Sequence, residues 1–378
     1  MNELWKVIRE SLPDIIGGLV VAATLALIGT VFTKFGLVAA IVIAVSLAVL
    51  ILLFLCLYPR KYSIGKVSFK HEKELPHTTF SPFQKEPIVK LGNFKPPLSI
   101  AAPSPLVESP AFKNLLYFAR RGQCRLFIGS GVSSEVGMPG EQELREALWA
   151  ELIEMGQAVR ADATLPELAT ALERAAGRPH LIQVLQCLFD DALRERPWER
   201  GAYPWIPLLP PDLVQVIYTT NWDDCLKRAF EAAGRTVREI RYPGELPLIP
   251  QAEHAIVKMH RDFQVPDGPL ISEADYAIAL NDIQQGTAGT LWGHLADQLA
   301  QFYFVFVGYS LGDQTLNLIR QAVELRTGTA GEKRHFLVAP LSPEEARAAE
   351  RWACVRPIIA TPSEFFQTLF SEFQKGGK

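Results

Sequence analysis

Two polar side chains stand where a proton acceptor and a positioning group would be needed. His260 follows the apolar run Ile256-Val257-Lys258-Met259, and Asn221 follows Val216-Ile217-Tyr218 through Thr219-Thr220. An imidazole titrates near neutral pH, so His260 is the candidate general base. Asp262 completes a His-x-Asp pattern behind it. The carboxamide of Asn221 offers both donor and acceptor, so it can hold a ribose hydroxyl or an attacking water. Asp223 can cap the helix expected to begin there, which leaves Asn221 free for chemistry.

Two further turns carry small and hydroxylated residues. Gly129-Ser130-Gly131-Val132-Ser133 follows Leu126-Phe127-Ile128, and Gly308-Tyr309-Ser310-Leu311-Gly312-Asp313 follows Phe304-Val305-Phe306-Val307. Glycines after a strand allow a tight turn and close approach of backbone N–H groups to a phosphate. Ser310 and Asp313 open a helix whose start can hold a phosphate or ribose. The same segment fits the G-x-S-x-G nucleophile elbow, but a triad would then require a later histidine. His335 is the one histidine after it and begins an apolar strand. A dehydrogenase-type Rossmann unit would place an acidic residue ~20 positions beyond the first turn, at the end of a second strand. The chain turns helical after Pro139 instead, which disfavours hydride transfer.

Four polar strand exits imply one sheet that brings them together, because open parallel α/β sheets bind ligands at the carboxyl ends of their strands. Hydrophobic patterning predicts strands at Cys124–Ile128, Leu213–Tyr218, Val237–Arg241, Ala255–Met259, Phe302–Val307 and His335–Ala339. Apolar spacing predicts helices at Ala111–Arg121, Gln142–Glu154, Pro166–Ala176, His180–Glu195, Asp223–Ala233, Glu273–Leu280, Thr290–Ala300, Gln314–Leu325, Pro343–Trp352 and Ser363–Gln374. The alternation implies a Rossmann-like, mostly parallel α/β sheet with helices on both faces and a helical insertion at residues 142–195.

Ahead of this domain, Ile15–Thr33 and Leu37–Tyr58 are uncharged runs separated by Lys34-Phe35-Gly36. Each approaches the ~20 residues that a bilayer requires of a helix, so residues 1–60 read as a two-helix transmembrane hairpin. Arg60, Lys61, Lys66, Lys70 and Lys73 follow it, against Lys34 alone at the tip. The positive-inside rule then sets both ends, and residues 111–378, on the cytoplasmic side of a cell membrane. Gly18, Ala22 and Ala26, and Ala40, Ala44 and Ala48, form small-residue stripes suited to packing within the hairpin or between copies. Residues 61–110 hold eight prolines, which predict an extended linker.

The net charge of −3 and the lack of a basic stripe disfavour nucleic-acid binding. The five cysteines form no C-x-x-C pair, so neither a zinc knuckle nor a disulfide framework is indicated, and no metal is expected.

In this order, the G-x-G-x-S…G-x-P start, the T-T-N-x-D turn, the His-x-Asp and the late G-Y-S-x-x-D turn resemble the sirtuin fold. The likeness is strongest to the sirtuin-like domains of bacterial antiphage defence proteins, and it extends from about Ala111 to the C-terminus. The resemblance implies an NAD pocket in which Asn221 and His260 serve cleavage of the nicotinamide–ribose bond. It further implies that Gly129, Ser130, Gly131, Val132, Ser133, Thr220, Asp223, Gly308, Ser310 and Asp313 contact the rest of NAD. Deacetylase sirtuins carry four zinc cysteines and Asp-Phe-Arg after the G-x-P. This chain has no such cysteines and reads Gly140-Glu141-Gln142, which points to NAD hydrolysis rather than deacylation or ADP-ribosyl transfer. Toxic NAD depletion implies an activating partner or assembly switch, with a homo-oligomer expected. Arg261 replaces the glycine usual after the histidine, and its cation is expected either to contact phosphate or to block the site. A non-catalytic nucleotide-sensing module, or a pore-forming effector, is the alternative.

Overall fold

In the computed structural model, the described residues are 104–285, 289–310, 315, 317–319, 321, 335–351 and 355–375. The expected hairpin, nearly all of the linker, and Asp313 lie outside them. Among the described residues no helix is long and apolar enough to cross a membrane.

Seven strands form one sheet: β1 (Cys124–Ile128), β2 (Val216–Thr219), β3 (Val237–Ile240), β4 (His254–Lys258), β5 (Tyr303–Val307), β6 (His335–Ala339) and β7 (Val355–Ile359). Every pairing is parallel, and the order is β3-β4-β2-β1-β5-β6-β7. The strands are nearly continuous runs of buried apolar residues because helices cover both faces. Side chains alternate between the faces. Leu126, Ile128, Ile217, Ile256, Val305 and Val307 pack on one side, while Phe127, Tyr218, Val257, Phe304 and Phe306 pack on the other.

The helices are α1 (Pro110–Ala119), α2 (Ser130–Ser134), α3 (Glu141–Glu154), α4 (Leu165–Ala176), α5 (Arg178–Leu193), α6 (Cys225–Ala232), α7 (Glu273–Gln284), α8 (Leu291–Gln301), α9 (Pro343–Arg351) and α10 (Pro362–Lys375). Residues 315, 317–319 and 321 are also helical. The predicted insertion is thus three helices, α3 to α5, set between β1 and β2. Glu167 reaches back to the Thr164 backbone N–H at 2.7 Å, closing a capping box that starts α4.

Three expectations are corrected. The strand expected from Leu213 begins only at Val216, because Pro211–Val214 forms a helical turn. The short helix α2 and the strand β7 were not expected. Arg356 and Pro357 disguise β7, and a proline is tolerated there because β7 lies at the sheet edge and pairs only with β6. The end of the expected linker is folded: Pro105–Glu108 is a 3-10 turn that buries Leu106, and the Ser104 hydroxyl donates to Glu364 of α10 at 2.8 Å.

Candidate active site

The four polar exits lie on four neighbouring strands, β4, β2, β1 and β5. The chain leaves β1 for β2 on one side and returns through β5 on the other, so β1 and β5 flank the point where strand order reverses, the usual place for a ligand crevice. Backbone hydrogen bonds tie the exits together: Met259 N–H to Thr219 O at 2.8 Å, Gly129 N–H to Val307 O at 2.8 Å, and Gly131 N–H to Gly308 O at 2.9 Å.

These last two bonds change the role of the glycines. The amides of Gly129, Gly131 and Val132 are already given to Val307, Gly308 and Gly129 oxygens. Those three amides are therefore not free for a phosphate. Glycine is required here because the two turns touch: a Cβ on Gly131 would stand 2.9 Å from the Gly308 Cα, and one on Gly308 would stand 2.7 Å from the Val132 nitrogen. Gly308 also has φ +80°, the left-handed region that favours glycine.

Beside these turns is a cavity of about 210 Å³ lined by Ser130, Ser133, Thr220, Asn221, Trp222, Asp223 and His260 from the exits. Glu141, Leu144, Thr164, Pro166 and Phe189 of the insertion form another wall, and Tyr276 and Thr315 complete it. The cavity is smaller than the ~300–1,000 Å³ typical of pockets for drug-sized ligands.

Asn221 is 8% exposed. Its Nδ2 donates to Gly129 O at 3.1 Å and to Ser133 Oγ at 2.7 Å, while its Oδ1 is buried with no hydrogen-bond partner. Such an orphaned acceptor costs about 1–3 kcal/mol unless something donates to it. The carboxamide's donors are therefore committed and its acceptor remains for a ligand hydroxyl or a water. Ser133 donates to Asp223 Oδ2 at 2.8 Å and shares a 2.7 Å contact with the Tyr203 hydroxyl. Because the one proton of Ser133 goes to Asp223, Tyr203 donates. Burial pushes the Tyr203 phenol well above its ordinary range, so it keeps the proton for this bond. Asp223 Oδ1 accepts from the N–H of Cys225, the first residue of α6, at 3.0 Å, while the helix N-cap is Asp224 and not Asp223 as expected.

His260 is buried, with Tyr276 edge-on at 5.5 Å and Trp292 at 6.0 Å between ring centres. Burial pushes its imidazole down to about 4, against an opposing pull from Asp275. The ring is neutral at pH 7 and can accept a proton, as a weak base.

Asp262 does not serve the imidazole. It takes a two-pronged contact from Arg241 Nε at 2.8 and 2.9 Å, accepts from Gln264 N–H at 3.0 Å, and lies 3.5 Å from Lys258 Nζ. Burial raises its carboxyl, but Lys258 and Arg241 outweigh that and hold it below the ordinary range. Arg261 departs from expectation too. Its φ of 55° explains why a glycine suits the position. Its side chain does not line the cavity; it reaches Asp267 at 3.5 Å and lies over the Tyr242 ring at 5.7 Å. The side chain therefore does not block the cavity.

The other expected residues are spread along the exits. The Thr220 hydroxyl lines the cavity yet pairs with the Tyr309 hydroxyl at 2.7 Å. Ser130 is exposed at the cavity, and Ser310 is exposed beyond it. His335 is fully buried in the sheet, where its Nδ1 accepts from Phe304 N–H at 3.1 Å, so it is occupied away from Ser310. Among the described residues no group of three or more His, Cys, Asp or Glu is arranged to hold a metal ion.

Sequence reasoning missed Lys258, 2% exposed beneath the Asn221–Asp223 turn, as well as Trp222 and Tyr276 in the wall. A lysine inside an otherwise apolar strand, four residues before Asp262, was the signal for the first.

Residues 215–358 match the family model of the SIR2-like domain. That span contains Asn221, His260 and Ser310 but not the Gly129–Ser133 turn. Comparison with curated proteins returned no match. Among solved structures, the crystal structure of a Sir2 homologue–NAD complex is similar at 13% identity, covering 70% of this chain and 94% of that one, with a TM-score of 0.37.

Proposed function

We propose that this domain binds NAD across the four strand exits and hydrolyses its nicotinamide–ribose bond. One observation carries the reading: Asn221, with its orphaned buried Oδ1, and His260, a neutral imidazole, line the same cavity at the carboxyl ends of adjacent strands. The SIR2-like match across both residues supports it.

In this scheme the nicotinamide ribose occupies the cavity, and the remainder of NAD extends past Ser130 toward Ser310. Asn221 Oδ1 accepts from a ribose hydroxyl or from the attacking water. Nicotinamide leaves with the electron pair of the glycosidic bond, the water oxygen bonds to the ribose carbon, and His260 takes the released proton on its way to solvent. The balance is NAD⁺ and water to nicotinamide, ADP-ribose and a proton.

The paired apolar runs at 15–33 and 37–58 support membrane anchoring with the domain in the cytoplasm. Depletion of NAD in bacterial antiphage defence, restrained by assembly or an activating partner, is the physiological role that this reading implies.

A second reading, a module that binds NAD or ADP-ribose without cleaving it, is favoured by the weakness of His260 as a base. Nicotinamide release separates the two. Detergent-purified protein, with and without phage-infected lysate, should release nicotinamide, and Asn221→Ala and His260→Ala should each abolish release while retaining a cooperative unfolding transition. Release retained in both variants refutes hydrolysis at this site, and binding without release under every condition establishes the sensing module.

A further inference from the structure

The strand before His260 carries a buried cation that touches the Asn221 turn. Lys258 pairs with Thr219 in the β2–β4 register, and its side chain runs under the exit of β2. Its Nζ donates to Asn221 O at 3.0 Å and to Asp223 O at 2.5 Å. Asp262 Oδ2 at 3.5 Å and Glu239 Oε1 at 3.9 Å balance its charge, and Arg241 ties those two carboxylates together through Glu239 Oε2 at 2.7 Å and Asp262. Lys258, Glu239 and Asp262 side chains are each 4% exposed or less.

Two carbonyls two residues apart can both point at one ammonium only if the intervening Trp222 is held in a particular turn. That turn sets the Asn221 side chain against Gly129 and Ser133 and the Asp223 side chain against Ser133. The lysine is also the last residue of β4, two residues before His260. It therefore fixes the distance between the two cavity residues that come from different strands.

We propose that Lys258 is a positioning residue, clamping the Asn221–Asp223 turn to the His260 strand so that both groups face one ligand. Its catalytic consequence rests on the hydrolase reading; the clamp itself does not. A misplacement of ~1 Å can cost about 100-fold in rate, so the effect should fall on kcat.

The test uses the full chain in detergent and two balanced double variants. Lys258→Gln/Glu239→Gln keeps a neutral N–H donor, and Lys258→Met/Glu239→Gln removes it; both lose one positive and one negative charge. Trp222 emission, isolated by subtracting each protein's Trp222→Phe counterpart, reports the turn without reference to turnover. Nicotinamide release is split into kcat and KM. Expected are native Trp222 emission and kcat within about tenfold for the Gln variant, and for the Met variant shifted emission and kcat about 100-fold lower, with KM within about threefold. Equal emission and kcat in the two folded variants overturns the clamp and leaves Lys258 as a charge balance only. If the Met variant does not fold, the Gln variant decides: shifted emission, or kcat below a hundredth of native, overturns the proposal. Wild-type protein that releases no nicotinamide refutes the hydrolase reading, while the emission comparison still judges the clamp.

Discussion

His260 can be followed through its proton. In the folded domain burial lowers its imidazole from 6.5 to about 4. Between those values the unfolded chain binds a proton that the folded chain refuses, so stability rises with pH in that window. The contribution of His260 is complete above pH 6.5 and is lost as pH falls toward 4. From pH 7 to pH 5 the loss is RT ln[(1 + 10^1.5)/(1 + 10^−1)], less a small term already present at pH 7, or about 2 kcal/mol. Chemical unfolding followed by tryptophan emission, at pH 7 and pH 5, measures it against His260→Gln, which cannot titrate. His294, also lowered by burial, is present in both proteins and cancels. Wild type should lose about 2 kcal/mol more than the variant over that interval. Equal pH slopes, or an imidazole that titrates near 6.5, would refute the burial argument and with it the neutral proton acceptor that the proposed chemistry uses.

Three further outcomes follow from the exits. Gly308→Ala forces a Cβ to within 2.7 Å of the Val132 nitrogen at a φ of +80°, so stability should fall by about 2 kcal/mol or more, read from the unfolding midpoint. Arg261→Gly should keep or slightly raise stability, because relief of ~1–2 kcal/mol at a φ of 55° exceeds the added chain entropy, and nicotinamide release should be unchanged since this side chain lies off the cavity. Asp223→Ala removes the acceptor of both Ser133 and the Cys225 N–H, so a loss of roughly 1–3 kcal/mol and lowered turnover are expected, measured by unfolding and by nicotinamide release.

Local sequence settled those elements in which every neighbour agrees. Cys124–Ile128 and His335–Ala339 were readable to the residue because central parallel strands are apolar on both faces and end at polar turns. The same logic placed Asn221, His260, Gly129 and Ser310 at strand exits, since an apolar run that stops at small or polar residues marks where a strand leaves the core. What lies opposite each exit was not local. Strand order alone made the four exits neighbours. Contact between two turns, over a hundred residues apart in the chain, gave Gly131 and Gly308 their requirement and used the Gly129 and Gly131 amides. Asp262 was drawn to Arg241 and Lys258 and away from His260, because a buried carboxylate takes the nearest cations and the exit of β3 supplies one. The neutrality of His260 likewise came from burial against groups such as Tyr276 and Trp292, whose positions follow from how α7 and α8 pack on the sheet. Residue type and spacing thus determined which groups could do chemistry, and tertiary packing decided which of their atoms remain for a ligand, because hydrogen-bond partners and desolvation are supplied from distant parts of the chain.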